Sequence, residues 1–204
     1  MDEAIAYFLE QGDPVLQRII PGVDLEPHTS SGDVFQDLIS CIVDQQIHYR
    51  SRKVYFKKVQ RVIGQEQITP RAILAKSDAD FLAQKMAARK VQTIVSAAHT
   101  WEEKDYGQLD WFSLPEEAVR EQLESMQGVS RWTSDMILLY TLEHPDICPL
   151  DDFRFKKYFP VAYDLETSSD WRKDMVQITE EWAPYRSTAT RYLLTWGKQL
   201  QKRP

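Results

Sequence analysis

EQLESMQGVSRWTSDMILLYTLEHPDICPLDDFRFKKYF, residues 121–159, reads as two helices joined by a tight turn, then a break and the start of a third helix. A helix over Glu121–Met126 meets the hairpin Gln127-Gly128-Val129-Ser130, and a second helix starts near Arg131-Trp132-Thr133 and carries Met136 to Tyr140. Gly128 stands where a backbone must turn with positive φ, a conformation glycine adopts without a Cβ penalty. The first amides of the second helix lack intrahelical acceptors and point outward, which makes a site for a phosphate. After the break at His144-Pro145, the run Cys148-Pro149-Leu150-Asp151-Asp152-Phe153 delivers two adjacent carboxylates to the next helix. Asp is a preferred N-cap, so both could serve only as caps. That role suits Asp151. Asp152, one residue further in, would be held against the positive end of the helix dipole.

Outward from this stretch the chain predicts about ten helices with short loops and no strands. Asp13 and Pro14 open one helix as cap and first-turn residue. Asp33 caps another, whose Phe35, Leu38, Ile39 and Ile42 recur at i, i+3, i+4 and i+7, the spacing of a buried stripe. Residues 49–63 form a basic helix with Val54, Tyr55, Val59 and Val62 inward. Thr69-Pro70 opens a short helix, Ser77-Asp78 caps the next, and a long one reaches about Trp101. Ser113 and Glu116 fit a capping box that launches the helix feeding the hairpin. The tail carries Trp182-Ala183-Pro184-Tyr185-Arg186-Ser187, then Ala189, Tyr192, Leu193 and Trp196 at core spacing.

Composition bounds the function classes. The 204 residues suffice for one compact domain or two lobes, and 43% hydrophobic content makes the chain globular. Seven Gly and few alternating apolar runs argue against a β fold. Cys41 and Cys148 are far apart in sequence, and His28, His48, His99 and His144 show no ligand spacing, so no catalytic metal or cofactor is expected. No signal peptide opens the chain and no apolar run is long enough to span a bilayer, so no membrane association is expected. A net charge of −6, from 25 basic and 31 acidic residues, opposes nucleic-acid binding, but its distribution does not. Residues 45–65 contain no acid and six Lys or Arg, and residues 81–101 are likewise acid-free. A protein basic on one side can meet a phosphate backbone.

The hairpin, the following Arg131-Trp132-Thr133, and Pro149 with the Asp pair before Lys156 together resemble the helix-hairpin-helix DNA glycosylases, specifically the 3-methyladenine DNA glycosylase II family. The likeness covers essentially the whole chain. It implies an all-α fold, a single domain over residues 1–204 in two helical lobes with the active cleft between them, and the helix-hairpin-helix at about residues 121–142. Gly128, Val129, Ser130, Arg131 and Thr133 would bind DNA phosphates; Ser130 replaces the family's second hairpin Gly, which weakens the clamp without removing it. Gln45 and Gln46 fall on a Gln-Gln element that fills the gap left by an extruded base. The alternative is a solvated helix end.

By the same resemblance Asp152 is the catalytic carboxylate, with Asp151 capping the helix beside it. Trp132 occupies the position where bifunctional relatives place a lysine, and without an amine there no Schiff base forms. Its indole could stack on a flipped base, preferentially a cationic one, or could simply be core. Met136, one turn on, would floor the same pocket. Leu194 matches a pocket Trp of the family, with Trp196 two residues later. The backbone of Glu124, Met126 and Val129 corresponds to a monovalent-cation site in some relatives. The expected function is monofunctional excision of alkylated purines from double-stranded DNA in base excision repair, by a monomer. The expected location is the cytoplasm of a bacterium, at the nucleoid, or a eukaryotic nucleus. Other readings are a same-fold glycosylase for a different damaged or mismatched base, a non-catalytic helix-hairpin-helix module, and a helical protein-interaction domain.

Overall fold

The computed structural model describes residues 2–10, 12–25, 30–44 and 52–201, leaving aside the side chains at 44, 52 and 53. Twelve α-helices occupy the described residues, and no strand is among them. They are α1 (Glu3–Glu10), α2 (Pro14–Ile19), α3 (Val34–Asp44), α4 (Arg52–Ile63), α5 (Pro70–Leu74) and α6 (Asp78–Ala83). The series continues with α7 (Ala88–Glu103), α8 (Glu116–Glu124), α9 (Arg131–Tyr140), α10 (Phe153–Ala162), α11 (Trp171–Glu180) and α12 (Arg186–Leu200). The chain divides into two compact units: Met1–His28 with Glu143–Pro204, and Thr29–Leu142.

In the unit formed by Thr29–Leu142, α3 packs on α4, α7 and α9. Its stripe Phe35, Leu38, Ile39 and Ile42 is buried throughout, as the spacing predicts. Asp33 Oδ1 accepts the Gln36 amide at 2.8 Å and caps this helix. Thr69 Oγ1 accepts the Ala72 amide at 3.2 Å and caps α5, while Asp80 Oδ2 accepts the Ser77 amide at 2.8 Å at the start of α6. On α4, Val59 and Ile63 are buried but Val54 is 52% exposed, against expectation. Five residues before Val59, Val54 lies about 140° round the helix from it, outside the i, i+4 stripe. The expected Ser113 cap also fails. Pro115 takes the N-cap position of α8, and Ser113 Oγ instead donates to Asp110 Oδ2 at 2.6 Å within a 3-10 turn.

In the other unit, Phe8, Leu16, Phe155, Phe159, Trp182 and Leu193 are fully buried in one core shared by α1, α2, α10 and α12. Each such burial contributes roughly 1.5–3 kcal/mol relative to exposure. Asp13 ties the pieces together. Its Oδ1 caps α2 by accepting the Val15 and Leu16 amides at 2.7 and 3.1 Å. Its Oδ2 accepts the Tyr163 hydroxyl at 2.8 Å and Trp182 Nε1 at 3.3 Å. Burial, then the Asp13 charge, raises the Tyr163 pKa, so the phenol stays a neutral donor. Gly197 on α12 leaves room for the Tyr158 ring of α10, which any Cβ there would strike.

Candidate active site and nucleic-acid interface

The hairpin forms where the spacing placed it. The α8 helix closes with the Ser125 amide on Glu121 O and the Met126 amide on Leu123 O, at 3.2 and 3.1 Å. The chain then turns at Gly128 with φ +84°. Two constraints meet at this residue, because a Cβ would lie 2.6 Å from Thr93 Oγ1 of α7. Val129 is buried and anchors the turn, while Ser130 takes the extended N-cap position of α9. The Ser130 carbonyl accepts the Thr133 and Ser134 amides at 2.8 and 3.1 Å, and its hydroxyl lies 3.4 Å from Thr133 Oγ1. The Arg131 side chain is 54% exposed at the start of the helix. Trp132 is half-buried and Met136 is buried. The Met126 carbonyl, one of the three oxygens corresponding to a cation site in some relatives, already accepts the Val129 amide at 3.1 Å.

What sequence reading missed is how α8 and α9 are fastened. Residues 133–139 of α9 are buried on every side, and three of them, Thr133, Ser134 and Asp135, are polar. Arg120 of α8, itself buried, meets them: Nη1 lies 2.7 Å from Asp135 Oδ1 and 3.2 Å from Ser134 Oγ. Its Nε bonds Glu116 Oε1 at 2.7 Å. Burial opposes the Arg120 charge, but the bonds to Glu116 and Asp135 outweigh it and raise its pKa. The Asp135 carboxyl also rises above its usual range, because burial exceeds what Arg120 returns. The i, i+4 pairs Glu116–Arg120 and Arg131–Asp135 were a visible signal, but the crossing that joins them was not.

Asp152 is 2% exposed and belongs to the other unit. Here the expected assignment is corrected: Asp152 is itself the N-cap of α10, and Asp151 is not the cap. The Asp152 amide bonds Pro149 O at 2.9 Å, which sets the residue at φ −64°, ψ 131° and starts the helix at Phe153. Asp152 Oδ1 accepts the Arg154 and Phe155 amides at 2.8 and 3.0 Å. These donors and the helix dipole are complementary to a negative charge. Asp151 points outward and pairs with Lys156 at 2.7 Å.

The loop leading to Asp152 is clamped by the start of α12. Arg186 Nε and Nη2 reach Asp146 Oδ1 and Oδ2, each at 2.7 Å, and pull that carboxyl below its usual range. Ser187 Oγ donates to His144 O at 2.5 Å and accepts the Ile147 amide at 2.9 Å. On the same helix Leu194 is buried in the core and Trp196 packs partly against it.

Gln45 and Gln46 lie outside the described residues. Among the described residues no cluster of three or more His, Cys, Asp or Glu forms a metal site, and no helix is long and apolar enough to cross a membrane. Two surface clefts of about 320 and 340 Å³ are lined by neither Trp132 nor Asp152.

No family model matches the chain. DNA-3-methyladenine glycosylase 1 of Schizosaccharomyces pombe is 26% identical over 176 residues, covering 80% of this chain and 72% of that protein. The alkylbase DNA glycosidase-like protein mag2 of the same organism is 26% identical over 175 residues, covering 83% and 80%. The S. pombe 3-methyladenine DNA glycosylase in complex with abasic DNA superposes with a TM-score of 0.80 at 23% identity, over 94% of this chain and 95% of that one. In sequence this chain is similar to these DNA glycosylases at 26% identity, and in fold it is similar to the solved 3-methyladenine DNA glycosylase. A Bacillus halodurans DNA-3-methyladenine glycosidase has the same fold, with a TM-score of 0.79 at 22% identity over 99% and 93% of the two chains. The described residues of this chain are likewise all helices and turns, with no strand.

Proposed function

We propose that the protein is a monofunctional DNA glycosylase that hydrolyses the N-glycosidic bond of alkylated purines, 3-methyladenine and 7-methylguanine. The observation that carries the reading is the buried Asp152 carboxylate, oriented by two amides of α10. Breaking the bond develops positive charge on the sugar as the base departs. A preorganised carboxylate out of bulk water stabilises that cation and can orient the attacking water. Alkylation at N3 or N7 makes the base a cation that leaves as a neutral molecule, so little acid catalysis is required. The half-buried Trp132 supplies a quadrupole suited to such a base and, lacking an amine, forms no Schiff base.

In this reading Gly128, Val129, Ser130, Arg131 and Thr133 hold the phosphates of a DNA duplex, and Gln46 with Gln45 enters the gap left by the flipped nucleotide. The enzyme acts as a monomer, in the cytoplasm if bacterial and in the nucleus if eukaryotic. Incubation with methylated duplex DNA tests the activity. Release of 3-methyladenine and 7-methylguanine is expected, with strands uncut until alkali is added and no adduct trapped by borohydride. Absence of released base rules the activity out, and a trapped adduct rules out the monofunctional chemistry.

A further inference from the structure

The first turn of α10 holds a cation that the reading above does not use. Arg154 Nε is buried, yet it has no hydrogen-bond partner among the described residues. Asp152 Oδ1 lies 3.6 Å away, beyond hydrogen-bond length, and already accepts two amides. A buried donor left unmade is destabilising, more so when charged, and because Nε is closed off from solvent the part of this guanidinium that a ligand can reach is its Nη groups. The Arg154 side chain is 34% exposed, so the remainder of it meets solvent although Nε does not. Beside it Phe153 is 78% exposed, an apolar ring displayed next to a cation. The neighbouring Lys156 is paired with Asp151 at 2.7 Å, which leaves Arg154 to meet an incoming anion.

We infer that Arg154 binds a phosphate oxygen of the damaged strand, next to the nucleotide on which Asp152 acts; the inference rests on the proposed role of Asp152. Two anions, the carboxylate and a phosphodiester, must approach one sugar, and their repulsion disfavours that approach. A guanidinium beside the carboxylate offsets the repulsion. Its planar fork has the geometry that engages phosphate oxygens in pairs. The exposed Phe153 ring then offers an apolar face to the adjoining sugar or base.

The test compares the wild-type protein with Arg154→Met and Arg154→Lys on duplexes carrying an abasic-site analogue, across a range of salt. Losing one phosphate contact lowers the slope of log affinity against log salt by about 0.9. Arg154→Met is expected to show that loss and weaker binding at low salt, with Arg154→Lys keeping the wild-type slope. Arg154→Met should not lower the thermal midpoint, since it removes a buried donor without a partner from a side chain that is partly exposed. An unchanged slope and affinity in Arg154→Met overturns the inference. If the wild type releases methylated bases while the slope is unchanged, only the Arg154 assignment fails. If it releases none while the slope falls, the phosphate contact stands and the glycosylase reading fails.

Discussion

At Asp152 the observed cap and the proposed catalytic charge are separable by substitution. As N-cap it accepts the Arg154 and Phe155 amides, and Asn is about as good a cap. Under the proposed function its charge stabilises the cation that develops on the sugar, and Asn cannot replace it there. Asp152→Asn is therefore expected to keep the thermal midpoint within a few degrees while single-turnover release of 3-methyladenine falls by about 10²–10³-fold, the size of one preorganised electrostatic interaction. Near wild-type release would remove Asp152 from the chemistry. Asp151, exposed and paired with Lys156, should tolerate the same change with little effect on either quantity.

At the scale of elements, α8 and α9 present the hairpin, and the Arg120–Asp135 pair sets how they cross. Removing one partner of a buried pair strands the other, at about 3–5 kcal/mol. Arg120→Met should cost that much in denaturant unfolding, because Asp135 is buried and its carboxyl is already pushed upward. Adding Asp135→Asn should recover part of the loss, since the stranded charge is gone. A double variant less stable than the single one would show that Arg120 acts through packing alone. Gly128 belongs to the same device: its positive φ and the Thr93 contact both forbid a side chain at the turn.

At the scale of the molecule, charge decides how stability depends on pH. Asp146 is held below its usual range, first by its bond with Arg186. Its contribution is thus present above the ordinary Asp value of about 3.9 and is lost as pH falls through the lower folded value. Unfolding midpoints followed from pH 6 downward, with Asp146→Asn as the comparison, test this. The variant should be less stable at pH 6 and should lose less stability below about pH 4 than the wild type. Parallel curves would assign the acid sensitivity to other carboxylates.

Local order explains what the sequence by itself determined. The helical class, the α3 stripe, the Asp13, Asp33 and Thr69 caps and the Gly128 turn depend on residues within one or two turns of each other. Their periodicity and capping chemistry are legible without a partner. Tertiary structure decided most of the rest. Val54 faces outward because packing of α4 on α3 and α6 buries Val59 and Ile63 instead. The choice of Asp152 over Asp151 as cap is local, made by its bond to Pro149 O, but was not legible because either Asp can cap. The Arg120–Asp135 pair and the Arg186 and Ser187 clamp on the loop before α10 join residues 15 to 43 positions apart. No local pattern encodes such pairings, because they exist only where burial leaves a polar group in need of a partner.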